Sequence, residues 1–149
     1  MTALALDSGY WSSLARGVGA ILLYALVGLV LMLVGFFAID LTTPGRLRQL
    51  VVAGKPNAII VTAAGMVSMA LIVVLAIYSA GGRLLEGLIA ALVFGLIGIV
   101  GQVASVRIVE LVIGIDIGAV LHSDLYTTEV LPVAAAHFSL GLVVAVAIL

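Results

Sequence analysis

Inside the apolar stretches of this chain, two side chains could do chemistry: Gln102 and His137. Gln102 lies eight residues before Glu110, and His137 eight residues after Glu129, so they reach similar depth from one side of a membrane on neighbouring spans. The spacing predicts a direct contact between them, and two readings follow. An ionisable residue in a membrane is a candidate proton or ion relay. Alternatively, a neutral imidazole donates to the amide and ties two helices together, worth roughly 0.6–2 kcal/mol. The structural reading leads, because a relay needs a continuing polar chain and the far halves of the spans offer only Ser68, Tyr78 and Ser79. Asp40 and Glu110 stand at the ends of two spans, where they can pair with Arg46, Arg48 or Arg107, cap the next segment, or mark a paired site about a pseudo-twofold axis. Solvated interfacial carboxylates are the favoured reading.

Other constellations are weaker. His122-Ser123-Asp124 near Glu129 has metal-ligating types but no compact ligand spacing, and a solvated acidic loop is favoured. With no cysteine, thiolate catalysis, disulfides and cysteine metal sites are excluded. There is no Gly-rich phosphate loop, no nucleophile beside a base and no carboxylate pair placed for acid–base work, so no enzyme and no cofactor is expected. A net charge of −1 carries no nucleic-acid footprint.

The elements that must position these residues are membrane helices. The chain is 65% apolar and 9% charged, far below the roughly 25% charged of a soluble domain. Uncharged stretches run 17–39, 56–82, 87–106 and 130–149, each long enough to cross about 30 Å of hydrocarbon. A barrel would need short alternating segments, which are absent. The expected fold is an all-α membrane protein with four transmembrane helices. Residues 1–15 hold Asp7 and no basic residue, so the first apolar stretch reads as a retained span with Tyr10 and Trp11 at its interface rather than a signal peptide.

These helices read as one unit written twice. Tyr24-Ala25-Leu26-Val27-Gly28-Leu29-Val30 answers Phe94-Gly95-Leu96-Ile97-Gly98-Ile99-Val100, and Ile39-Asp40-Leu41 answers Val109-Glu110-Leu111, at an offset of 70. The plan is two tandem, parallel-repeat helical hairpins: 1–16 an N-terminal extramembrane segment, 17–80 the first hairpin with a 40–56 loop, and 81–149 the second with a 112–128 loop. Within the repeat, Ala25, Gly28 and Gly35 match Gly95, Gly98 and Ser105 as a small-residue stripe, the kind of face that lets membrane helices approach. The second half of the unit aligns at 71, setting Ala63, Met66 and Ala70 against Ala134, His137 and Gly141. Met32 and Met66 then stand where the other copy has Gln102 and His137.

In the 40–57 loop, Thr43 can cap, Pro44 suits a first helical position and Gly54 a stop, while Leu47, Leu50 and Val51 share a face. A short interfacial helix and a plain loop whose arginines meet anionic lipid are both consistent with this. Arg46, Arg48, Lys55 and Arg107 on one side outnumber Arg16 and Arg83 on the other, which predicts cytoplasmic loops after spans one and three and both termini outside.

The run Phe36-Phe37-Ala38-Ile39-Asp40-Leu41-Thr42-Thr43-Pro44, followed by Asn57-Ala58 opening the next span, resembles a bacterial inner-membrane family known as domain of unknown function 350. The resemblance covers residues 20–149 and implies a small inner-membrane protein with tandem two-helix repeats and no established activity. The second repeat departs from the pattern, with Thr128-Glu129-Val130 where Asn-Ala is expected. The expected function is a non-enzymatic scaffold or accessory component of the cell envelope, packed in the lipid bilayer against itself or a membrane-protein partner. The alternative is a subunit of a small oligomeric transporter or ion channel with Gln102 and His137 as its polar site.

Overall fold

A computed structural model describes residues 9–43 and 45–149; Pro44 as a helix start, and residues 1–8 of the N-terminal segment, lie outside the described residues. Four long helices carry the fold: α1 (Tyr10–Thr42), α3 (Pro56–Ser79), α4 (Leu84–Ile113) and α6 (Val130–Ala147). All four are long and apolar enough to cross a membrane. Two six-residue helices, α2 (Leu47–Val52) and α5 (Ile117–His122), sit in the loops after α1 and α4. There is no strand among the described residues.

The helix ends follow from local chemistry. Pro56 begins α3 at a position whose N–H has no intrahelical partner, and Pro132 sits in the first turn of α6 for the same reason. Gly114 ends α4 with φ +75°, a left-handed conformation glycine adopts without penalty. Asp116 caps α5 through a hydrogen bond from the Ala119 N–H at 2.9 Å. Residues 10–16 form the first two turns of α1.

Two corrections concern the loops. Thr43 does not cap a following helix; its hydroxyl donates back to the Ile39 carbonyl at 2.7 Å and closes α1. The acidic 112–128 segment is not a plain loop, since it contains α5. The apolar face of α2 is turned into protein, with Leu47 and Leu50 buried beside Ile117 and Leu121 of α5.

α3 and α4 are central. α1 packs on both, and so does α6, which leaves α1 and α6 at opposite corners. Like therefore lies beside like, α1 against α4 and α3 against α6. A twofold axis would copy the α3–α4 packing onto α1 and α6, which have none of that extent. The pseudo-twofold expectation is thus replaced by two hairpins lying side by side.

Two apolar clusters fill the interior. One, on the side of the short helices, joins Ile39, Leu47, Val61, Leu121 and Val133 with their neighbours. The other, toward the tight Gly81-Gly82 turn, joins Leu31, Met69, Ile72, Ala76 and Ile99. The buried polar side chains Ser68, Gln102 and His137 lie on helices shared by these clusters.

Candidate functional site

Burying a polar group in an apolar interior is costly unless it is hydrogen-bonded. Ser68, half-way along α3, is fully buried and meets that need across both hairpins. Its hydroxyl donates to the His137 backbone carbonyl of α6 at 2.7 Å and accepts from Gln102 Nε2 of α4 at 2.9 Å. A hydroxyl has one proton; with it committed to a carbonyl, the oxygen must take a donor, which fixes the Gln102 amide with its nitrogen toward Ser68.

The direct Gln102–His137 bond expected from depth and facing is therefore not the contact formed. Ser68 stands between them, and His137 contributes its backbone. The buried imidazole has no hydrogen-bond partner at either nitrogen among the described residues; Gln102 Oε1 and Thr62 Oγ1 are likewise unpaired. Two of these atoms lie near Gly65: a Cβ there would sit 3.6 Å from Gln102 Oε1 and 3.9 Å from His137 Nδ1. Both distances are ordinary van der Waals contact; the tighter neighbour of such a Cβ is Ile39 Cδ1 at 3.3 Å.

Gly65 also corrects the repeat register. At an offset of 72, Ala58, Val61, Gly65, Met69 and Val73 fall on Val130, Val133, His137, Gly141 and Ala145, and all ten are buried. His137 thus corresponds to Gly65, not Met66, which is outward-facing. The sequence held the signal, since Val61-Thr62-Ala63-Ala64 matches Val133-Ala134-Ala135-Ala136. Met32 and Met66 instead border a small cavity of about 10 Å³ with Thr62 and Gly65.

The small-residue stripe divides in its roles. Gly95 lies under Leu31 of α1, where a Cβ would come within 2.8 Å, and Gly98 under Ile72 of α3, within 2.5 Å. Gly35 faces Met69 and Ile99, each 3.4 Å from a Cβ placed there, and Gly28 faces Val73. Ala25 is exposed on an open groove between α1 and α3. Ser105 is half-buried and bonds the Gln102 carbonyl of its own helix at 3.0 Å. A tighter approach that the stripe did not include is Gly141, where a Cβ would lie 2.9 Å from the Ser68 backbone Cα.

Asp40 and Glu110 differ in role despite their matched positions. Asp40 accepts from the Arg48 backbone N–H at 2.7 Å and so holds the start of α2. Glu110 pairs with Arg107 at 2.7 Å, and Arg107 also donates to the Thr42 carbonyl, tying α4 to the end of α1. Lys55 pairs with Asp124 across the loops. Asn57 is the buried hub of that layer. Its amide donates to the Val120 and Leu125 carbonyls at 2.8 and 3.1 Å and to the Thr127 hydroxyl at 3.2 Å, and its oxygen accepts from the Thr127 N–H at 3.1 Å. His122 turns Nδ1 to the Gly118 carbonyl at 2.7 Å, so it and Asp124 serve separate partners. No group of three or more metal-ligating side chains occurs among the described residues.

The family model described as Domain of Unknown Function (DUF350) matches residues 13–149. The chain belongs to the DUF350 family. A UPF0719 transmembrane protein of Mycolicibacterium paratuberculosis is 41% identical over 86 residues, covering 57% of this chain, which thus spans little more than half of that relative's length. The UPF0719 transmembrane proteins of Mycobacterium bovis and Mycobacterium tuberculosis are each 35% identical over 128 residues, 81% of this chain and 84% of theirs. No solved structure matches. This DUF350 chain is therefore a transmembrane protein of an uncharacterised family.

Proposed function

We propose that this protein is a non-enzymatic scaffold or accessory component of the bacterial inner membrane, with α1 as its docking helix. The observation that carries the reading is the imbalance between spans. α1 has 33 residues, of which Leu31, Gly35 and Ile39 are buried, whereas α3 has 24 residues and buries nine. A helix this long and this little used inside its own bundle leaves a face for a second membrane protein or a second copy. Arg46, Arg48, Lys55 and Arg107 share one side, so the positive-inside bias favours cytoplasmic α2 and α5 with both termini outside.

A transport or channel subunit is the second reading, favoured by the unpaired His137 imidazole and Gln102 Oε1. Against it, apolar clusters border the polar group on both sides, and four spans enclose a pathway only as part of a larger ring. Purification in mild detergent followed by mass measurement separates the two. A monomer, a dimer or a stoichiometric complex with one partner supports the scaffold; a symmetric ring with a central opening overturns it.

A further inference from the structure

We propose that the cleft between the end of α1 and α2 holds the headgroup phosphate of one anionic phospholipid. The proposal stands independently of the scaffold reading.

The cleft is half open and has a volume of about 840 Å³. Arg46, Arg48 and Gln49 line it on the α2 side, and Phe37, Leu41 and Val52 give it apolar walls. Leu41 and Val52 are 84% and 82% exposed, as expected of side chains that face acyl chains. Asp40 also lines the cleft, with Oδ1 engaged by the Arg48 backbone N–H. Two guanidiniums against one carboxylate leave the lining with an excess positive charge, complementary to a phosphodiester. Guanidiniums bind phosphate oxygens in a planar, bidentate fashion.

Two further observations point to a built site. Arg46 is the one non-glycine residue with positive φ among the described residues, at φ 56° and ψ 92°. A strained backbone of this kind persists where its surroundings require it and is found preferentially at ligand-holding positions. The second hairpin supplies an internal contrast. The corresponding positions at the end of α4 and in α5 carry one basic residue, Arg107, against the acids Glu110 and Asp116. At the offset of 70, Arg46 corresponds to Asp116 and Arg48 to Gly118. α5 forms at the position matching α2 without either arginine, so the arginines are not a requirement of the loop fold. Phe37 and Leu41 belong to a membrane span, which favours a lipid over free phosphate as the source.

Native mass spectrometry of the purified full chain tests this, with phosphatidylglycerol, phosphatidylcholine and inorganic phosphate as probes. The expected result is one retained phosphatidylglycerol per chain in preference to phosphatidylcholine. Its affinity should fall roughly thirtyfold in the Arg46→Gln, Arg48→Gln double variant. Arg83→Gln, at the opposite membrane face, should retain it. Arg48→Gln alone, which keeps the backbone bond to Asp40, should give an intermediate loss and serves if the double variant does not fold. Equal retention in wild type and the arginine variants, equal loss in Arg83→Gln, or displacement of the lipid by millimolar inorganic phosphate would each overturn the proposal.

Discussion

A hydroxyl in an apolar bundle is stabilising only when both its proton and its lone pairs are used. At Ser68 they are, and the two bonds run to two other helices. Ser68→Ala should therefore lower stability by about 1–2 kcal/mol, read as thermal or denaturant unfolding in detergent. His137→Phe should cost less than Ser68→Ala, because the imidazole makes no bond among the described residues and the carbonyl that does survives the change. The reverse order would show that the ring itself ties the helices. Gly141→Ala should be the most damaging of the three, by roughly 2–4 kcal/mol, since the new methyl meets the Ser68 backbone. At this scale the sequence was partly legible. Residue type and depth identified Gln102 and His137 as buried partners-in-waiting. Their true link was not, because a one-residue error in register turns a helical side chain by about 100°. That error set His137 against Met66 when it corresponds to Gly65, and Ser68, named only as a polar group in the far half of its span, was not linked to them because its partners come from other helices and no spacing within α3 indicates them.

Among the elements, α2 and α5 fix how the hairpins meet. They occupy matching positions at an offset of 70 and pack on one another through Leu47, Leu50, Ile117 and Leu121. Asn57 secures this layer by bonding the Val120 carbonyl of α5 and the backbone after it. Asn57→Ala removes the side chain's hydrogen bonds to Val120, Leu125 and Thr127, so a loss of about 2–4 kcal/mol is expected. Amide exchange should rise first at Val120–Thr127; protection unchanged there would count against the hub. The apolar face of 47–51 made α2 one of two open readings, beside a plain loop. α5 was hidden by Gly118 and its flanking acids, although Asp116 before an apolar run is a standard helix start. The Asn57-Ala58 pair was readable only as a family resemblance, because its bonds reach some 70 residues along the chain to a loop whose path depends on the assembled fold.

At the scale of the molecule, the composition and the long uncharged stretches were enough to give four spans, while their arrangement needed coordinates. Side-by-side hairpins put the polar group among α3, α4 and α6 and leave α1 outermost. The absence of cysteine makes single-cysteine crosslinking clean: Leu22→Cys or Leu26→Cys on the open face of α1 should crosslink in native membranes if α1 docks a second copy, and Ala76→Cys in the core should not. The central claim is that the Ser68–Gln102–His137 group holds helices together and does not conduct. Proton and potassium flux into proteoliposomes of the purified chain tests it most directly. The account predicts flux no greater than in protein-free vesicles, and a flux above that level which His137→Phe abolishes would contradict it.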